Sequence, residues 1–181
     1  VEDSGKGWSA PAGIVVRSDG SVVVANTNLH RLRVLKGGAW TDLAGSSYNF
    51  KDGKGSVAAF RYPGGLALGA QDEVYVADRA NHRIRKVTKD GTVTTVAGSG
   101  KAGITDGKST TAEFNSPTDV AVAGAVVYVA DTQNDRVRKI AADGAVSTLA
   151  GSTAGFADGK GAAVKFNRPA GIAVDGAGVV W

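Results

Sequence analysis

The chain has no cysteine and no methionine, only two histidines and four prolines, and just 7% aromatic residues. Without cysteine there are no disulfides, no thiolate metal sites and no cysteine nucleophile, and the compartment is left open. No Asn-X-Ser/Thr acceptor occurs, so N-glycosylation gives no sign of secretion. No apolar run reaches about 18 residues, so no membrane-spanning helix is expected. Val1–Ser9 lacks an apolar core and is not a signal peptide. There is no Gly-X-Ser-X-Gly elbow, and no two carboxylates stand apart as an acid/base pair, so the residues indicate no reaction. The net charge of +4 permits an anionic partner without requiring one.

What the chain does have is glycine, 26 of 181 residues, with 43% hydrophobic and 21% charged residues. That mixture is too hydrophobic for disorder and suits an all-β domain dense in turns. Its organising stretch is Val74–Val87, VYVADRANHRIRKV, written again as VVVANTNLHRLRVL at 22–35 and VYVADTQNDRVRKI at 127–140. Each is an apolar-alternating run, an Asx-rich turn and a second alternating run, which reads as strand, tight connection, strand. A proline precedes each, at Pro11, Pro63 and Pro117, and Pro169 opens a fourth, giving steps of 52, 54 and 52 residues. The middle period holds four strand-like runs, Leu66–Leu68, Val74–Ala77, Arg83–Val87 and Val93–Ala97. Asp90-Gly91, Asp143-Gly144 and Lys36-Gly37-Gly38 mark hairpins with type I′ turns. Four antiparallel strands per period and one long connection describe a β-propeller blade, and no helical period long enough for a solenoid competes.

The expected organisation is the end of an inter-blade connection at 1–10, blades at 11–62, 63–116 and 117–168, and the first strands of another at 169–181. Trp8 stands before Pro11 as Phe60, Phe114 and Phe166 stand before their prolines. With no initiator Met, and with Trp181 at the mid-strand place of Tyr75, the chain reads as a piece of a larger propeller. Its unpaired end blades are expected to be covered by further blades of the same polypeptide rather than by a second molecule.

VYVADRANHRIRKV, VYVADTQNDRVRKI and the connection LAGSTAGFADGKGAAVKFNRPAGIAV resemble NHL repeats, named for the Asn-His-Leu triplet at this turn. The long connections are most similar to those of multidomain NHL proteins that join the propeller to thioredoxin-like or other domains. The resemblance implies a ring of six blades, of which about three and a half are visible. It also implies a range of functions: protein-binding platforms, RNA-binding surfaces, receptor ectodomains and, more distantly, metal-dependent lyases and lactonases.

His30 and His82 share one repeat position with Asp135. A metal site needs such groups to converge on one centre, and a turn residue bonding local backbone is the simpler reading. Asn26, Asp78 and Asp131 end each second strand, where they are expected to hold the turn or to pair with a third-strand arginine. Asp52, Asp106 and Asp158 each offer one carboxylate followed by glycine. That is too few ligands for calcium, so they read as turn residues, with Phe50, Ile104 and Phe156 as pegs against the next blade. The pairs Arg31/Arg33, Arg83/Arg85 and Arg136/Arg138 recur like the glycines. They are expected to bond carboxylates and carbonyls of a neighbouring blade, with a basic surface for RNA as the alternative. No catalytic residue, metal or cofactor is expected. The residues that break the repeat are Trp40, Tyr48, Tyr62, Glu73 and Gln133. The functional expectation is a non-catalytic platform that contacts another protein, or another domain of the same polypeptide, through its loop face. Its candidate residues are Asn28, His30, Tyr48, Lys51, Arg79, Asn81, His82, Gln133 and Asn134. An RNA-binding propeller and a metal-dependent lyase or lactonase are the alternatives.

Overall fold

A computed structural model describes residues 7–181. Residues 1–6 of the connection expected at 1–10 therefore lie outside the described residues. Among the described residues there is no α-helix, only strands and single 3-10 turns. The strands are β1 (Pro11–Val16), β2 (Val22–Asn26), β3 (Arg31–Lys36), β4 (Ala39–Ala44), β5 (Gly53–Lys54), β6 (Pro63–Leu68) and β7 (Val74–Asp78), followed by β8 (Arg83–Val87), β9 (Thr92–Ala97), β10 (Gly107–Lys108), β11 (Asp119–Ala123), β12 (Val126–Asp131), β13 (Arg136–Ile140) and β14 (Ala145–Ala150). They form three antiparallel sheets in the orders β1-β2-β3-β4, β5-β9-β8-β7-β6 and β10-β14-β13-β12-β11. The second and third sheets thus each borrow a short outer strand from the connection that precedes them.

Alternation along each strand explains why the sheets stack. In β7, Val74 and Val76 enter a core shared with Val23, Leu32 and Phe60, while Tyr75 and Ala77 join a second core with Phe114, Val120 and Val129. Successive residues of a strand face opposite sides, so the middle sheet is buried on both faces. Each fully buried Val, Leu or Phe contributes roughly 1.5–3 kcal/mol, and nearly all of this gain lies between sheets rather than within them. The first sheet has one unpartnered face, where Ile14 and Val16 are exposed.

The hairpins differ in one respect from the expectation. Gly37 and Gly38 both have positive φ, 58° and 81°, as a type I′ turn requires. At Asp90-Gly91 and Asp143-Gly144 only the glycines do, at 83° and 81°. There the Gly91 N–H donates to the Thr88 carbonyl and the Thr88 N–H to the Thr92 carbonyl, so a longer loop ending in a left-handed glycine replaces the two-residue turn. At the C-terminus, Ala173 and Trp181 exchange backbone hydrogen bonds at 3.0 and 2.9 Å, the start of another hairpin.

The inner strands pack backbone against backbone. The Gly65 N–H donates to the Thr118 carbonyl at 2.8 Å. A Cβ on Gly64 would stand 2.7 Å from that same carbonyl oxygen, and one on Gly13 would stand 2.6 Å from the Gly64 carbonyl. Gly64→Ala should therefore push the second and third sheets apart and lower stability by roughly 1–3 kcal/mol, the usual range for overpacking. Urea unfolding followed by tryptophan fluorescence measures this. A loss below half a kcal/mol would show that the inner strands can give way.

Candidate functional site

The turn after each second strand fixes the loop face. Thr27–Leu29, Arg79–Asn81 and Thr132–Asn134 each form one 3-10 turn, closed by a left-handed residue: His30 (φ 56°), His82 (φ 52°) and Asp135 (φ 53°). Asn, Asp and His are enriched among non-glycine residues in this conformation. The His30 ring keeps the expected local backbone bond, to Thr27, but all three side chains also reach beyond their own turn. His30 Nδ1 accepts the Tyr62 N–H at 3.3 Å, His82 Nδ1 the Ser116 N–H at 3.0 Å, and Asp135 Oδ1 the Arg168 N–H at 2.7 Å. Each acceptor thus reaches across to the residue that precedes the next repeat's proline, itself left-handed at φ 51°, 50° and 55°. A histidine whose Nδ1 accepts is neutral and carries its proton on Nε2.

The second element is a buried guanidinium. Arg85 and Arg138 have side chains with 0% exposure. Arg85 Nη1 donates to Asp78 Oδ2 at 2.7 Å and to the Ala59 carbonyl at 3.3 Å. Its Nη2 donates to the Lys51 carbonyl at 3.0 Å and to Asp52 Oδ1 at 2.6 Å. Arg138 repeats this with Asp131, Glu113, Thr105 and Asp106. Asp78 further accepts the Arg61 N–H and the Asn81 amide. Burial pushes the Asp78 carboxyl up from its ordinary value, while Arg85, Asn81 and the Arg61 N–H oppose the shift. Asp52 and Asp106 are therefore not the turn residues expected. Each is the outer jaw of a clip, and the Gly-Lys after each is a strand. The third-strand pairing foreseen for Asp78 and Asp131 is present, and the inner arginines serve the structure rather than a basic surface. Phe50 works as a peg by carrying the Arg83 guanidinium on its ring, at 3.7 Å.

Two of the candidate surface residues fall inside this framework. Asn81 and Asn134 are buried, their amides spent on Asp78 and Asp131 and on the Asn49 and Gly103 carbonyls. They form part of the clip and leave the candidate surface. Asn28, Lys51, Arg79, Gln133 and Tyr48 are exposed, and His30 and His82 are half-buried. The structure brings several of these together with residues the sequence reading did not place. Tyr48, Tyr62 and His30 form an edge-to-face triangle with ring centroids 4.9–5.5 Å apart, and the Arg61 guanidinium lies 4.7 Å over Tyr48. Beside them is an open cavity of about 320 Å³, whose polar lining is Thr27, Asn28, Tyr62, Arg79 and Ser116. Gln133 and Lys51 do not line it. Arg61 could have been found by its departure from the Asn115 and Asn167 that occupy its place in later repeats. Among the described residues no three His, Cys, Asp or Glu side chains converge where they would hold a metal ion, and no helix is long and apolar enough to cross a membrane.

Antiparallel sheets of four long strands, two of them with a short fifth, packed against one another through their first strands, define a β-propeller. The profile of the NHL repeat family matches residues 60–87. NHL repeat-containing protein 2 of Gallus gallus is 36% identical over 110 residues, 60% of this chain and 15% of that protein. Protein SUPPRESSOR OF QUENCHING 1, chloroplastic, of Arabidopsis thaliana is 38% identical over 93 residues, 49% of this chain and 9% of that protein. The chain thus spans a small fraction of the length of both. An auxiliary nutrient binding protein from Bacteroides thetaiotaomicron VPI-5482 superposes with a TM-score of 0.74 at 18% identity, over 91% of this chain and 43% of the other, a likeness of fold. Residues 60–87 carry an NHL repeat, and the chain is similar to NHL-repeat proteins and folds as stacked β-propeller blades.

Two outcomes follow from the site's framework. Arg85→Ala strands the Asp78 carboxylate in the core and should cost about 3–5 kcal/mol of unfolding free energy. Adding Asp78→Asn should recover part of that loss, and a double-mutant cycle in urea reads the coupling. Burial, then Arg83 and Arg61, lowers the His82 pKa below its usual 6.5. The folded state therefore resists protonation more than the unfolded chain does, and the stability from the neutral ring is complete above that value and lost as pH falls below it. His82→Asn, which offers an oxygen acceptor in place of Nδ1, should flatten the stability profile between pH 7 and 5. An unchanged slope in thermal scans would show that burial beside Arg83 and Arg61 does not make the His82 ring harder to protonate in the folded chain.

Proposed function

We propose that this chain contributes to a non-catalytic binding platform whose partner, another protein or another domain of the same polypeptide, docks on the loop face. One observation carries this reading: two of the residues that break the repeat, Tyr48 and Tyr62, meet at one exposed place. Tyr48, 52% exposed, stands where later repeats have Ala102 and Ala154, and Tyr62 stands where they have Ser116 and Arg168. Beside them lie Arg61 and Arg79. Neither has a carboxylate partner among the described residues, and Arg79 is exposed. Tyrosine and arginine dominate the energetics of protein interfaces because each combines a large apolar area with hydrogen-bond donors. The uncompensated positive charge favours a partner segment bearing carboxylates.

The clip weakens the case for RNA. The inner arginines are buried, and Arg31 is paired with Asp42 at 2.7 Å, so the repeated basic face that reading needs is largely consumed. The experiment pairs Tyr48→Ala with Arg79→Ala. Against the partner identified by cross-linking, the variant should bind at least about tenfold more weakly, or 1.4 kcal/mol, with an unchanged unfolding midpoint. Equal affinity would overturn the assignment. Tight binding of a single-stranded RNA homopolymer, with a steep salt slope abolished by the same variant, would move the site to nucleic acid.

A further inference from the structure

Two of the connections between repeats close over a guanidinium, and the third has the same seat without one. In the first, the Lys51 carbonyl, Asp52 carboxylate and Ala59 carbonyl hold Arg85 at 3.0, 2.6 and 3.3 Å. In the second, Thr105, Asp106 and Glu113 hold Arg138 at 3.2, 2.7 and 2.9 Å. The third places Ala157, Asp158 and Lys165 at these positions. It is folded like the others: the Lys165 N–H donates to the Ala157 carbonyl at 3.0 Å, as Ala59 donates to Lys51 at 3.0 Å and Glu113 to Thr105 at 2.9 Å. Gly159 has φ 156°, matching 149° at Gly53 and 154° at Gly107.

Among the described residues no arginine reaches this third seat. Its residues, Phe156 to Asp158 and Val164 to Phe166, surround an open cavity of about 410 Å³. Phe156 is 88% exposed, and Phe166 is half-buried where Phe60 and Phe114 are fully buried. Gly159-Lys160, whose counterparts are β5 and β10, adds to no sheet.

We infer that the third connection is a preformed arginine socket that receives a further blade of this repeat. The occupant carries an arginine at the place of Arg85 on its third strand. Its fourth strand offers an edge for Gly159-Lys160 and a threonine for Asp158, as Thr95 and Thr148 serve Asp52 and Asp106. The first sheet of a second molecule does not fit. Its arginine, Arg33, is already enclosed by Trp8 and Trp40 at 4.7 and 5.9 Å and has its own ion-pair neighbour in Asp42. The socket is separate from the loop-face cluster, so either reading can fail alone.

The test extends the chain beyond Trp181 with a copy of Val76–Ala97, which continues the repeat from the place of Tyr75. Hydrogen exchange of residues 157–165 should slow by at least about tenfold, toward the protection of 51–59. Asp158→Asn, or lysine in place of the grafted arginine, should return it to the fast rate, with no additional effect when the two are combined. Protection that persists in Asp158→Asn would overturn the socket. Since an extension can misfold, the chain alone supplies a second measurement. There 157–165 should exchange at least about tenfold faster than 51–59 and 105–113 at every protein concentration. Equal protection, or protection that grows with concentration, would mean that the seat is closed or is filled by a second molecule.

Discussion

The buried guanidinium is the constraint on which the rest of this structure depends. Arg85 joins the end of its own second strand, through Asp78, to the connection before it, through Asp52 and two carbonyls. Only a planar fork of five donors can serve two carboxylates and two carbonyls at once, which lysine cannot do. The arrangement carries a cost, since the Nε–H of Arg85 and of Arg138 is buried without a hydrogen-bond partner. Removing a guanidinium from water is expensive, and apolar replacements of buried ion pairs are often no less stable. What the clip adds is register. It fixes where each connection crosses the next sheet, and a β-bulge in β9 lies opposite the Ile84–Arg85 step. Each blade therefore depends on the connection ahead of it, which is the nearest-neighbour logic of repeat proteins.

Much of this was legible in the residues, and the rest was hidden for a definable reason. The four runs of the middle repeat agree with β6–β9 to within a few residues because alternation is a local property. Arg85 was readable as an inter-blade residue because it recurs. Asp52 was not readable as its partner: a lone Asp before Gly looks like a turn wherever it occurs, and its arginine lies 33 residues further on. His82 was misread in the same way. Its left-handed turn was foreseeable, but the Ser116 N–H it accepts belongs to the next repeat. Asn81 and Asn134 showed the opposite error, since polar residues in a turn suggest exposure and these two are buried by the connection that folds over them. Sequence periodicity reveals which positions are equivalent. It does not reveal which equivalent positions touch.

Symmetry also sorts structural from functional residues. Most side chains that recur in register in the first two junctions are spent: Asp on Arg, Asn on Asp, His on a backbone N–H, glycine on close backbone approach. What a repeat does not need is free to vary, and departures that touch one another point to a demand on that place. Tyr48, Arg61 and Tyr62 all depart from their counterparts, and all three belong to the connection between the first and second sheets.

That location ties the proposed recognition to the clip. The connection carrying Tyr48 and Tyr62 is the one whose Lys51 and Ala59 carbonyls and Asp52 carboxylate are held by Arg85. His30 closes it from the other side by accepting the Tyr62 N–H and packing 4.9 Å from the Tyr62 ring. The aromatic cluster thus stands on a segment pinned at both ends by buried or half-buried groups, so its rings lose little further freedom on binding. Preordering of this kind lowers the entropic cost of association without adding a contact. In the binding platform proposed, the rigidity of the blade junction counts as much as the chemistry of the side chains that it presents.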